Sequence, residues 1–428
     1  MRPPPPLLRP ARRTLSPRSL SWRSLSWRRL PALALSSLIL VGGSCAAPLS
    51  TVQRQEAART AVSLLQSGQF DEATRAASQV LQADSRNPQA HLVAALTGYK
   101  AAMHQFSADL RTIPFQLFGR SFNHQYLRFS LQKTAAALAG VEAHLAAAAS
   151  TPGAELELCL ACWEVDWNQN GRIDHRDQRL FEIEVDADGN SLPDGDPRRR
   201  PTFHFDLGDV YWARAMIAFQ RALLEALQAF RWEEMDKIVR ELDREDATIT
   251  IRIGDKSRIA RARELVQSGL DHADRCRREY QAETDDDREW VPNPRQKSHP
   301  MPLPVDENLY RTWEEVTGDL RRLLSSREGL DVAELAQLGD HQWDNPPRGF
   351  IDIGRMLSDP SDIVIPLQHL NRLRRESPED LLKSLLGRTY VEKMTPSPLL
   401  GRLRRMKAEV DRGEEALGRK LRYLLWLN

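Results

Sequence analysis

Two runs between Asp166 and Asp196 place oxygen-bearing side chains at nearly alternate positions. The first reads Asp166-Trp-Asn168-Gln-Asn170-Gly171-Arg172-Ile173-Asp174-His-Arg-Asp177, the second Asp186-Ala-Asp188-Gly-Asn190-Ser191-Leu192-Pro193-Asp194-Gly-Asp196. Carboxylates and carboxamides at this spacing suit a hard divalent cation. Calcium takes about 6–8 oxygens, so a short loop must curl its donors around one point, and a glycine eases the sharp turn. The first run meets each demand, with oxygens at its places 1, 3, 5, 9 and 12, glycine at 6 and an apolar residue at 8 to be pinned to the core. The plain alternative is a pair of surface turns, since Asp, Asn and Gly all tolerate tight backbone conformations.

The first run resembles the EF-hand calcium loop, departing from it with Trp167 at the second place and Asp177, rather than Glu, at the twelfth. The second lacks glycine at its sixth place and carries Pro193 at its eighth. It resembles instead the Asp-rich loops of thrombospondin type 3 repeats, in which a hydrophobic-Pro-Asp run follows the first ligands. These resemblances cover less than a tenth of the chain and imply one or two Ca²⁺ ions. At the first, Asp166, Asn168, Asn170, Asp174 and Asp177 would give side-chain oxygens and Arg172 its backbone carbonyl. At the second, Asp186, Asp188, Asn190 and Asp194 would do so, with the Leu192 carbonyl and Asp196 as an extra ligand. The loops start 20 residues apart, too close for two complete helix-loop-helix hands, so a compact non-EF arrangement is expected. Outside a cell, affinities of roughly 10⁻⁴–10⁻³ M keep such sites filled, which favours a structural ion over a sensor.

Export is expected from the start of the chain. No acidic residue precedes Glu56, while eight arginines fall within residues 1–45. An apolar run, Leu30–Val41, follows them, and then Gly42-Gly43-Ser44 leads to Cys45. Charged, apolar and small segments in that order make a secretory signal peptide, and the run is too short to span a bilayer comfortably. Cys45 after Gly-Ser resembles the cleavage box of bacterial lipoproteins, although Gly42 stands where an aliphatic residue is usual. That resemblance implies lipidation at Cys45, a membrane attachment through the lipid, and a bacterial cell envelope location, lipid-anchored or periplasmic. Plain secretion is the alternative. An Arg- and Ser-rich, acid-free leader also fits a mitochondrial transit peptide, but the apolar run and Cys45 weigh against it. Without those eight arginines, 52 basic residues face 59 acidic ones, a net of −7. Such a body gives no reason to expect nucleic acid, whose binding needs a concentrated basic face.

The elements that must hold the loops read as helices. Val62, Leu64, Leu65, Phe70, Ala73, Ala77, Val80 and Leu81 recur at helical spacing. The run from Gly68 through Ala73 and Ala77 to Asn87-Pro88-Gln-Ala90 resembles one tetratricopeptide repeat, spanning 62–98. There a Gly lets two helices cross closely and Pro opens the next one. Further helices are expected over 122–145, from Val210 to about Arg244, from Ser257 to about Tyr280, and over 308–327, 378–386 and 398–427. Asp206 and Asp209 can cap the second of these, with Trp212, Met216, Phe219, Leu223, Leu227 and Phe230 as its core stripe. The last helix is basic and amphipathic, read as a solvated face. The fold class expected is all-α, tetratricopeptide-like helical hairpins interrupted by a calcium-binding loop insertion. Composition divides the chain into a signal peptide (1–45), a tetratricopeptide-like region (46–153), the calcium-loop insertion (154–205) and a long helical hairpin (206–284). A Pro-rich linker or extended surface strap (285–306) and a C-terminal helical region (307–428) with a long irregular loop (340–366) complete it.

Cys159-Leu-Ala-Cys162 lacks the His of a haem attachment, a second ligand pair for zinc and the βαβ context of a thioredoxin-like pair. A disulfide is expected instead, either local or from one of the two to Cys276. No HExxH, GxSxG, Walker loop or GxGxxG is present, so no catalytic residue is assigned. The reading is a non-enzymatic calcium-binding module that serves protein interaction or envelope assembly. Two rivals stay open. One is a substrate-binding component of a transport or secretion system; the other is an enzyme whose site is assembled from distant residues around the 340–366 loop and the calcium loops.

Overall fold

In the computed structural model of the chain, the described residues are 50–428 without 118–122, 168, 170, 175–176, 178–180, 242–246, 287, 303–304, 339–347, 367–381, 384 and 413–428. Ser50 starts the first helix by satisfying its free N–H groups. It caps α1 (Thr51–Gln66), accepting the Gln53 N–H at 3.3 Å while Gln53 Oε1 accepts the Ser50 N–H at 2.9 Å, a reciprocal capping box. α1 turns into α2 (Phe70–Ala83) at Gly68, whose φ of 73° is left-handed and suits a residue without Cβ. This glycine therefore serves the turn rather than a close helix crossing. Pro88 opens α3 (Pro88–Leu117) and Asn123 caps α4 (His124–Ala149). Ala58, Ala61, Ala73, Ala77 and Ala90 are buried with Leu65, Val80 and Val93, as α1 packs on α2, α2 on α3 and α3 on α4.

The insertion closes at its base where β1 (Leu156–Leu158) pairs antiparallel with β2 (Phe203–Phe205). Asp206 and Asp209 then cap α5 (Leu207–Gln228) in a second capping box. α5 stops well short of Arg244. The Ala229 carbonyl accepts the N–H groups of Gly254 and Asp255, at 2.7 and 3.1 Å, instead of continuing a helical ladder. A short helix, α6 (Met235–Glu241), follows. The face that α5 buries is Tyr211, Ala215, Ala218, Ala222 and Leu224, whereas Leu223 is 61% exposed, which corrects the expected stripe. After β3 (Thr248–Ile251), α7 (Lys256–Ala282) runs back along α5. Two notches fix the contact: a Cβ on Gly208 would collide with the Tyr280 ring, and one on Gly269 with the Phe219 ring.

The Pro-rich stretch is no linker. Trp290, Val291, Asn293, Gln296 and Met301 are buried, and Asn293 Nδ2 donates to the Tyr280 and Glu283 carbonyls at 2.9 and 3.2 Å, strapping the chain to the end of α7. Beyond it come α8 (Glu307–Leu324), β4 (Leu330–Asp331), α9 (Val332–Leu338), β5 (Phe350–Ile351), α10 (Ile353–Ser358), β6 (Ile363–Pro366), β7 (Tyr390–Val391) and α11 (Leu399–Arg412). Strands β4, β5 and β7 form one sheet and β6 pairs with β3. The stretch expected to be irregular thus holds two strands and a helix between 348 and 366. On α11, Arg402 turns inward to Asp319 at 2.9 Å and to Glu315 of α8. Cys45, most of the expected 378–386 helix and the end of α11's sequence lie outside the described residues. Among the described residues helix outweighs strand by 62% to 9%, consistent with the all-α class. Residues 48–428 cluster as one unit, and no helix among the described residues is long and apolar enough to cross a membrane.

Candidate functional site

A buried tryptophan sets where the first loop begins. Trp163 donates its indole N–H to the Leu65 carbonyl at 2.9 Å and meets the Phe70 ring edge-on at 5.2 Å, beside the α1–α2 turn. Just before it, Cys159 and Cys162 are joined in a disulfide with Cα atoms 5.3 Å apart. Cys276 is buried in α7 as a free thiol, so the pairing with it does not occur. On its other side the loop leans on α3: Gln169 Nε2 donates to the His104 carbonyl at 2.6 Å, and Arg111 donates to the Gln169 carbonyl at 3.0 Å.

Within the first loop, Asp166 Oδ2 accepts the Gly171 N–H at 2.7 Å, and Gly171 has a φ of 84°. A ring therefore closes from the first to the sixth place, with the glycine supplying a backbone that L side chains resist. Asp177 is buried and its Oδ2 accepts the Asp174 N–H at 3.0 Å. Arg172 is exposed and Asp174 half-buried, while Asn168 and Asn170 lie outside the described residues. Ile173 is 48% exposed and is not the pin. That part falls to Trp167, which packs against the main core and meets Phe181 edge-on at 5.6 Å. The departure from the motif at the second place was the signal for it.

The second loop is organised differently. Asp186 Oδ1 accepts the N–H groups of Asp188 and Asn190 at 3.0 and 2.8 Å, which gathers those three residues into one turn. The backbone bond from Asn190 holds the Asp186 carboxyl below its ordinary value. Leu192 is buried and donates its N–H to the Glu184 carbonyl at 2.8 Å. Asp194 and Asp196 face arginines, Asp194 pairing with Arg199 and Asp196 with Arg198 at 2.7 Å. The hydrogen bond from the Arg198 side chain lowers the Asp196 pKa. Arg199 is itself buried and reaches Glu182 at 2.8 Å, fastening the loop to the segment before it.

Among the described residues, no group of three or more His, Cys, Asp or Glu side chains is placed to hold a metal ion. A calcium loop draws also on carboxamide and carbonyl oxygens. The first loop's glycine turn, N–H-anchored Asp166 and buried Asp177 fit such a donor set.

A second acid-rich place is built only by the tertiary fold. The start of α5, the end of α7 and the strap bring Asp206, Asp209, Glu283 and Glu289 into mutual electrostatic range, with Cys276, Tyr280 and Tyr310. Asp209 Oδ1 accepts the Tyr280 O–H at 2.6 Å and Oδ2 accepts the Asp206 N–H at 2.9 Å. Burial, and then the charge of Asp206, push the Asp209 carboxyl well above its ordinary value. The same two causes push Glu283 up to about 10. In the sequence only the Asp206–Asp209 cap pointed here.

His272 invites a catalytic reading that its geometry does not support. Its Nε2 lies 3.3 Å from Ser268 Oγ and 3.9 Å from Glu142 Oε1. Hydroxyl and carboxylate face the same nitrogen, whereas a relay needs one at each end of the imidazole. Burial, followed by Arg214, lowers the His272 pKa to about 4. No protein-family model, curated protein or solved structure matches the chain.

Proposed function

We propose that the 154–205 insertion binds calcium, with the first loop as its principal site, and that the ion serves the structure. The observation that carries this is the closed ring from Asp166 to Gly171, with Asp177 buried at the loop's end. The loop sits between the Trp163 wedge and α3, so an ion there would tie the insertion to the helical frame. A ligand that binds only the folded chain stabilises it by about 1.4 kcal/mol at ten times its Kd. Calorimetric titration with Ca²⁺, and melting with and without chelator, test the reading. The absence of both heat and a melting shift at millimolar calcium would overturn it.

The wider setting belongs to the same proposal: a lipid-anchored module of the bacterial envelope that presents its helices to a protein partner. The Cys159–Cys162 disulfide supports it, because such bonds persist mainly in oxidising compartments. Cys45→Ser should yield an unprocessed or soluble product. Membrane fractionation of that variant at mature size would refute the lipid anchor.

A further inference from the structure

The Cys159–Cys162 pair takes no part in calcium coordination, and its surroundings suit a role of its own. Cys162 is exposed and Cys159 half-buried, so the pair lies at the surface of the chain. Cys276 has no accessible surface and sits in α7, away from exchange with solvent. Exposed disulfides are, as a class, the labile and regulatory ones.

The turn that carries the pair is secured independently of its sulfur–sulfur bond. Ahead of it, β1 is held by β2, with Leu158 opposite Phe203. Behind it, Trp163 is locked under the α1–α2 turn by its bond to Leu65. Within it, the Cys162 N–H donates to the Cys159 carbonyl at 3.0 Å and the Trp163 N–H to the Leu160 carbonyl at 3.3 Å. Opening the bond would leave both sulfurs on a preformed turn, in place to close again. The reduced state also has a partner waiting, since Cys159 Sγ lies 3.4 Å from the Arg200 carbonyl oxygen. A thiol there can donate to that oxygen.

We infer that Cys159–Cys162 is a reversible thiol–disulfide exchange site that takes a dithiol as its reductant. A thiolate of the donor attacks the sulfur of the exposed residue, Cys162. The bond between the two cysteines breaks, and its electron pair leaves on Cys159 Sγ, which takes a proton from water and donates it to the Arg200 carbonyl. The donor's second thiolate then attacks the donor sulfur of the mixed disulfide and releases Cys162 as a thiolate, which is protonated by solvent. The protein gains two electrons and two protons, and the donor becomes a disulfide.

The test equilibrates the full chain, without denaturant, in graded mixtures of reduced and oxidised dithiothreitol. Alkylation and peptide mass mapping follow, with melting measured at each end. Cys159 and Cys162 should open together and re-close on re-oxidation, Cys276 should stay unlabelled, and melting should shift by less than about 2 °C. Labelling that needs denaturant, that reaches Cys276 as well, or that comes with a larger loss of melting temperature would overturn the inference. Cys159→Ser, which leaves the sulfur of the exposed residue Cys162, should form a mixed disulfide with oxidised glutathione about ten-fold faster than Cys162→Ser. Equal or reversed rates would overturn the assigned point of attack.

Discussion

Asp186 and Asp209 each accept a backbone N–H, from Asn190 at 2.8 Å and from Asp206 at 2.9 Å, yet their surroundings drive them in opposite directions. Asp186 lies in a surface loop, where the donated hydrogen bonds outweigh the loss of water and favour the anion. Asp209 is buried against the Tyr280 hydroxyl, where burial and a second carboxyl favour the proton. Their neighbours repeat the contrast. Asp196 sits beside Arg198 and is lowered, whereas Glu283 sits beside Asp206 and is raised. What separates the two regions is the supply of water and donors, not the number of acids. In the second loop donors favour the carboxylate form of Asp186 and Asp196; in the interior cluster burial favours the protonated form of Asp209 and Glu283.

The most damaging test of this contrast replaces Asp209. Asp209→Ala strands the buried Tyr280 O–H and the Asp206 N–H, which should cost about 3 kcal/mol in urea unfolding. Asp209→Asn is neutral, as the protonated acid is. Its one carbonyl oxygen can still accept the Asp206 N–H, while its NH₂ can donate to the Tyr280 oxygen, so it should cost clearly less than Asp209→Ala. Equal costs would mean that the cluster holds an anion, and the contrast would fail.

The next test is pH. Glu283 in the folded chain keeps its proton up to about 10, against an ordinary value of 4.5. Between those values the folded state binds a proton that the unfolded state has lost. The stabilisation is therefore complete below 4.5 and falls as pH rises toward 10. Glu283→Gln should flatten the dependence of melting temperature on pH across that window, and an unchanged slope would remove Glu283 from the cluster.

Two smaller effects divide the loops from each other. Asp166→Ala should lower calcium affinity about ten-fold, or about 1.4 kcal/mol. Asp186→Ala should lower it less, because Arg198 and Arg199 already offset charge in the second loop. Equal losses would mean one shared cluster, and a larger loss from Asp186→Ala would reverse the ranking. Arg198→Ala removes an ion pair whose arginine is exposed and should leave stability almost unchanged. It should also strengthen calcium binding at the second loop by releasing Asp196. Weaker binding would show that the pair shapes the loop.

What could be read in the sequence was local. The Asp206–Asp209 cap, Pro88 at the opening of α3, the helical spacing of Leu65 to Val80 and the places of both loops all follow from near neighbours along the chain. What escaped depends on distant ones. α5 ends because residues 254 and 255 take a carbonyl at 229. The strap is buried because Asn293 finds the last carbonyls of α7. Ile173 filled the motif's apolar place, but the core lay on the side of Trp167. Three cysteines allowed several pairings, and only the fold places Cys276 out of reach in α7. Glu283 and Glu289 carried no signal, since nothing local announces that they will meet Asp206.

The glycine notches between α5 and α7 have a mechanical consequence. Gly208 and Phe219 lie 11 residues apart on one helix, and Gly269 and Tyr280 lie 11 apart on the other, about 16 Å in each case. The two rings act as dowels set at matching intervals. Sliding one helix by a turn would push both rings against side chains that have no room for them, and pivoting about either ring is stopped by the other. The pair therefore behaves as a single beam. Movement of this pair against its neighbours falls to the joints at its ends, where the Ala229 carbonyl takes the Gly254 and Asp255 N–H groups and where the strap begins at Glu283.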